Sequence, residues 1–260
     1  MLKLILSIYF SLSSCYCKNP LVEKLVDYSN NLQGFLVHPV IQKQIPKRPA
    51  IIIFHAFTGR TEFENEKARS LAKLGYVAFA ADTYGKTGST ETIEGNFEIM
   101  KHILGNRTTI LRERILAAWT FINSLDFVDS NRIGSIGYCY GGLCSLDLAR
   151  FEIGLKAAVS FHGTLLKYPE ESENLKNISC AIQAHHGDLD IHTNNEEASN
   201  FIEEMRNRSM DWQFLRYSNA EHAFTLFGVD DFKIPGASYN EKASNRSWSY
   251  MQVFLAEKLL

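Results

Sequence analysis

An excess of charge of either sign is missing: the 260 residues carry 27 Lys and Arg against 29 Asp and Glu, a formal net charge of −2. Without a basic surplus there is no electrostatic footprint for nucleic acid or an anionic membrane surface. No apolar run approaches the ~20 residues needed to cross a bilayer, so no membrane span is expected. Internal repeats and low-complexity tracts are absent too, which excludes a solenoid and leaves no linker between domains. Cysteine is scarce. Of five cysteines, Cys15 and Cys17 sit at the N-terminus, and the rest, Cys139, Cys144 and Cys180, are odd in number and irregular in spacing. That argues against a disulfide framework and leaves a free thiol. Around His185, His186, Asp188, Asp190 and His192 no second Cys or His patch completes a metal site. Alternation along a strand would also send His185 and His186 to opposite faces. Neither a metal nor any other cofactor is expected.

The N-terminus stands apart from the rest. Met1-Leu2-Lys3 followed by the uncharged stretch Leu4 to Ser14 has the positive start and apolar middle of a secretory signal. Small residues allow cleavage after Cys15 or Cys17. Residues 1–17 are therefore read as a signal peptide and 18–260 as one exported domain. Leu12-Ser13-Ser14-Cys15 also has the pattern of a bacterial lipobox, which would place a lipid anchor on Cys15. Asn-x-Ser/Thr sites at Asn106, Asn177, Asn207 and Asn245 are compatible with export.

What the chain does have is an alternation of strand and helix signals. Leu25–Tyr28 and Gly34–His38 flank Asn30-Asn31 as a hairpin. Ile51–Phe54 and Val77–Ala81 are continuous apolar runs, the pattern of strands covered on both faces. Between them Thr61-Glu62-Phe63-Glu64 is a capping box for a helix that ends at Leu74-Gly75. A glycine- and threonine-rich loop runs from Gly85 to about Gly95, and the segment to Asn106 carries no clear pattern. Leu111, Ile115, Ala118, Ile122 and Leu125 form one stripe of an amphipathic helix. Later come strands Leu155–Phe161, Cys180–Ala184 and Trp212–Tyr217, a helix Asn194–Arg206 opened by a box Thr193…Glu196, and a closing helix from about Tyr239. Strands alternating with helices predict an α/β fold: a mostly parallel sheet with helices on both faces.

The organising stretch is Arg132 to Arg150. An apolar strand passes through Gly137-x-Cys139-x-Gly141 into a helical pattern. A strand turning sharply into a helix with a nucleophile at the bend is a nucleophile elbow, here carrying Cys instead of Ser. The helix N-terminus aims its N–H groups at the sulfur and favours thiolate. Cys139 then requires a base, and the base an orienting acid, in the chain order acid before His. Asp190 follows the strand Cys180–Ala184 and His222 follows Trp212–Tyr217, in that order. Asp188 is the rival acid, less favoured because Gly187-x-x-Asp190 lies beyond the tight turn. The oxyanion hole would use the backbone N–H of Tyr140 and, from the loop after Ile51–Phe54, that of Phe57. His55, Tyr84 and His162 end neighbouring strands and are candidates to line the substrate pocket.

In order from Phe54 to Trp248, the stretches FHAFTG, KARSLAKLGYVAFAADTYG, IGYCYGG, HGDLD, EHAFT and YNEKASNRSW resemble the dienelactone hydrolase family of α/β-hydrolases. The resemblance implies an α/β-hydrolase fold, a cysteine triad carried here by Cys139, Asp190 and His222, and a small-molecule ester or lactone as substrate. Two departures stand out. Family members place a glutamate in the loop after the third strand, where this chain has Ala56. They also hold a substrate carboxylate with basic residues, one of them where Leu226 stands here, and Lys86 is the candidate to replace another. A neutral or differently shaped ester is therefore easier to accommodate than a carboxylated dienelactone. The rival readings are a non-catalytic binding module on a hydrolase scaffold and an acyltransferase.

Overall fold

The computed structural model describes residues 20–41, 46–86, 88–169 and 178–260; the expected signal peptide, residues 1–17, and Asn177 lie outside them. An eight-stranded sheet runs through the domain in the order β1-β2-β4-β3-β5-β6-β7-β8. The strands are β1 Leu21–Ser29, β2 Leu32–Pro39, β3 Arg48–Phe54, β4 Val77–Ala81, β5 Val128–Tyr138, β6 Ala157–Phe161, β7 Ala181–Gly187 and β8 Trp212–Tyr217. From β4 to β8 every neighbouring pair is parallel. The β1–β2 hairpin is added antiparallel, through β2 on β4.

Two helix layers cover this sheet. On one face lie α1 (Glu62–Lys73) and α6 (Glu241–Leu259), whose Leu71, Met251, Phe254 and Leu255 pack on Ile51, Ile53 and Val159. On the other lie α2 (Ile93–Gly105), α3 (Arg112–Ser124), α4 (Tyr140–Arg150) and α5 (Asn195–Asn207), packed on Ile52, Phe54, Phe79 and Ile182. The central strands are apolar at consecutive positions because both of their faces are covered. The expected two-faced α/β architecture is what the structure has. Among the described residues, no helix is long and apolar enough to cross a membrane.

Local chemistry explains where the elements differ from the expectations. The patternless segment to Asn106 contains a helix, α2, started by the Thr92 hydroxyl, which accepts the Gly95 N–H at 3.2 Å. For α5 the cap is Asn194, not Thr193: Asn194 Oδ1 accepts the N–H groups of Glu196 and Glu197, both at 3.0 Å. The Thr193 hydroxyl instead donates to Gly163 O at 3.3 Å. At α1 the capping box is present as read. Strand β7 extends past Ala184 through His185 and His186. Their rings point to opposite faces, His185 stacked on Phe161 and His186 against Phe214, as strand alternation requires.

Helix α4 is buried along its whole length, charged residues included. Arg150 donates to Glu204 through Nε at 3.0 Å and Nη2 at 2.8 Å, and to Asp147 at 2.9 Å. Arg107 grips the same Asp147 with two bonds of 2.7 Å and donates to the carbonyls of Lys167 and Leu166. Buried charges persist only when paired and hydrogen-bonded in this way. The network ties α4 and α5 to the loop after β6.

Candidate active site

The elbow is built by backbone strain and close approach. Cys139 follows β5 with φ +54° and ψ −118°, a conformation that a residue with a side chain adopts only under constraint. Two glycines make it possible. A Cβ on Gly137 would lie 1.8 Å from Gly141 O, and one on Gly141 would lie 2.3 Å from Phe54 O. The bend is locked on both sides: Cys139 N–H donates to Phe161 O at 3.0 Å, and its carbonyl accepts Gly142 N–H at 2.9 Å. Cys139 is half-buried, whereas Cys144 and Cys180 are fully buried, and all of them are free thiols.

Three strand ends meet at this sulfur. His222, on the loop after β8, places Nε2 3.1 Å from Cys139 Sγ. Its Nδ1 donates to Asp190 Oδ2 at 2.8 Å, from the loop after β7. Asp190 Oδ1 accepts the N–H groups of His192 and Thr193, both at 2.9 Å, so the carboxylate has a fixed orientation. The structure brings Asp190 to His222 and leaves Asp188 on the surface, 3.5 Å from Arg216. Burial would by itself lower the pKa of His222; the Cys139 sulfur and the Asp190 carboxylate outweigh it and raise it to about 10. Burial would raise that of Asp190, but the hydrogen bond from His222 and the imidazolium charge hold it below the usual range.

The loop after β3 is held at almost every polar group. Ala56 N–H donates to Glu64 Oε1 at 3.3 Å, and Ala56 O accepts His55 Nδ1 at 2.7 Å. Tyr84 OH donates to Phe57 O at 3.1 Å. His55 Nε2 accepts the Thr83 N–H at 3.0 Å, so the ring is the neutral Nδ1–H tautomer, and burial lowers its pKa accordingly. His55 and Tyr84, expected to line the pocket, stand behind its wall and brace the loop. Lys86 pairs with Asp27 on the surface, at 2.6 Å. His162 is enclosed behind His222, with Nε2 2.7 Å from Thr225 Oγ1.

The cavity at Cys139 holds about 190 Å³ and is lined by Phe57, Tyr140, Leu143 and His222 together with Phe97, Met100, Leu104, Leu226, Val229 and Ile234. Among the described residues, neither a Lys, Arg, Asp nor Glu lines it. Phe57 and Phe97 stack at 4.6 Å with planes 12° apart. Most of this apolar lining went unread in the sequence. Phe97, Met100 and Leu104 do carry a signal, one face of a helix, but only once α2 is recognised. Val229 opens a single 3-10 turn, Val229–Phe232, and Ile234 follows it, a stretch too short to show a period.

A parallel sheet crossed by helices, with a strained Gly-x-Cys-x-Gly elbow and an acid and a His on the two following loops, defines an α/β-hydrolase. The dienelactone hydrolase family model matches residues 32–259, and the chain belongs to that family, a hydrolase acting on esters or lactones. It is 30 % identical to the structure titled m3DLH, with TM-score 0.85 over 92 % of this chain and 99 % of that one. A dienelactone hydrolase-like promiscuous phosphotriesterase, P91, from metagenomic libraries, is 29 % identical at TM-score 0.85, again covering 92 % and 99 %. An uncharacterized protein of Caenorhabditis elegans is 39 % identical over 154 residues, 58 % of this chain and 96 % of its own length.

Proposed function

We propose that the chain hydrolyses small, uncharged carboxylic esters or lactones through Cys139, His222 and Asp190, by way of an acyl-thioester. One observation carries this reading: the unbroken line Cys139 Sγ, His222 Nε2, His222 Nδ1, Asp190 Oδ2, with contacts of 3.1 and 2.8 Å. In the resting site His222 carries a proton, its pKa raised to about 10. The Cys139 sulfur attacks the acyl carbonyl, and the oxyanion is met by the N–H groups of Tyr140 and Phe57. Ala56 N–H is taken by Glu64, and the next residue, Phe57, lines the cavity at Cys139, which supports its N–H as the second donor. Collapse of the intermediate expels the alcohol, to which His222 passes its proton. The neutral imidazole then takes a proton from water, which attacks the thioester; the C–S bond breaks, the acyl group leaves as the carboxylic acid and Cys139 is regenerated.

Substrate charge follows from the cavity. A carboxylate there would lose its hydration against mostly apolar side chains, and among the described residues no Lys or Arg lines the cavity to pair with it. A neutral ester incurs no such penalty. The test is Cys139→Ala against a panel of short-chain esters and lactones. Turnover is expected to fall to background while the variant keeps the wild-type melting temperature. A variant that retains the parent rate removes Cys139 as the nucleophile.

A further inference from the structure

Beyond Cys139, Asp190 and His222, the side chain most closely built into the site is His162. It follows β6, is fully buried, and holds φ +40°, a left-handed conformation that costs a non-glycine residue strain. Its N–H donates to His185 O at 2.7 Å, which fixes the backbone there. Its Nε2 lies 2.7 Å from Thr225 Oγ1, and Thr225 is on the same loop as His222. The two imidazoles meet edge to face, with centroids 5.4 Å apart and planes at 67°. Phe224, from that loop also, packs on the same ring at 5.1 Å.

We propose that His162 is a positioning residue for the catalytic imidazole: through Thr225 and through its ring it keeps His222 Nε2 in line with the Cys139 sulfur. This rests on the triad reading and deepens it. The bond from Asp190 fixes one nitrogen of His222 but leaves the ring free to swing about that bond. A buried ring set against it and a second tether on its loop remove that freedom. Displacement of a reacting group by ~1 Å can cost about a hundredfold in rate. Burial foremost, and the neighbouring His222 charge next, keep the His162 ring neutral, so it does not oppose the proton that His222 must carry.

Two variants cut the same hydrogen bond from opposite ends. His162→Phe keeps an aromatic ring and loses the ring nitrogen bonded to Thr225; Thr225→Val keeps the shape and loses the hydroxyl. With an ester that the parent turns over, kcat should fall roughly tenfold or more in each, with KM changed by less than about twofold. The double variant should be no slower than the worse single one, since both remove one bond. Iodoacetamide alkylation of Cys139 at neutral pH, followed on the Cys139 peptide by mass spectrometry, should slow in parallel, and it requires no turnover. Parent-like kcat and alkylation in both variants would overturn the proposal. So would a lowered melting temperature with unchanged alkylation of the folded protein, the mark of a purely structural residue. If His162→Phe fails to fold, Thr225→Val carries the test. If the parent hydrolyses no ester, the triad reading fails by itself, and the alkylation rates still decide on His162.

Discussion

Two carboxylates separated by one residue have opposite fates. Asp188 is exposed beside Arg216 at 3.5 Å, while Asp190 turns inward, accepts two backbone N–H groups and receives His222. Asp190→Asn should therefore lower kcat by several orders of magnitude, up to about ten-thousandfold, because an amide cannot hold the required tautomer. Asp188→Asn should leave kcat nearly unchanged; steady-state kinetics on the pair decide, and the reverse ranking would move the acid role to Asp188. The same contacts set a pH dependence. Since the folded pKa of His222 is raised from 6.5 to about 10, its stabilising proton is fully bound below the ordinary value and is lost as pH rises through the folded one. For a neutral ester, kcat/KM should accordingly hold into the alkaline range and decline only near pH 10. A rate that instead climbs as an imidazole deprotonates near 6.5 would show His222 sitting neutral beside a thiol.

At the scale of the element, the elbow depends on glycine. Gly141→Ala would put a methyl 2.3 Å from Phe54 O and 2.5 Å from His55 O, so β3 or α4 must move and Cys139 with it. Loss of soluble protein or a sharply lowered melting temperature is expected, whereas Gly105→Ala, whose methyl meets nothing within 4 Å, should be silent or slightly stabilising. The elbow was legible in the sequence because its glycines and cysteine are adjacent. So were Asp190 and His222, since each follows an apolar strand in the expected order. What could not be read is what irregular backbone brings together. Helix α2 was hidden because its cap, Thr92, sits inside a threonine-rich loop, and with it went Phe97, Met100 and Leu104 of the apolar cavity wall. Lys86 lies just beyond a strand end, as a ligand to substrate would, yet the turn at Gly85 sends it to Asp27. Chain position alone does not give the direction of a side chain.

Across the whole molecule, the Arg107, Asp147, Arg150 and Glu204 network joins α4 to α5 and to the loop after β6. Removing Arg150 leaves Asp147 with Arg107 and Glu204 with Arg208, so each buried carboxylate loses part of its counter-charge and hydrogen bonding. Arg150→Met should cost about 3–5 kcal/mol of stability, read as a lowered urea midpoint with the active-site distances retained. An unchanged midpoint would mean that the packing gained offsets the pairing lost. The layout of the sheet has a practical outcome. Because β1 and β2 join antiparallel to their neighbours, Leu21 starts at the foot of the sheet, level with the beginnings of β3 and β5. Leu259 packs near Gly134 at that same foot, while Cys139 opens at the opposite rim. A bead, electrode or fusion partner coupled beside Leu21 or Leu259 would thus hold the protein by its base and leave the entrance unobstructed.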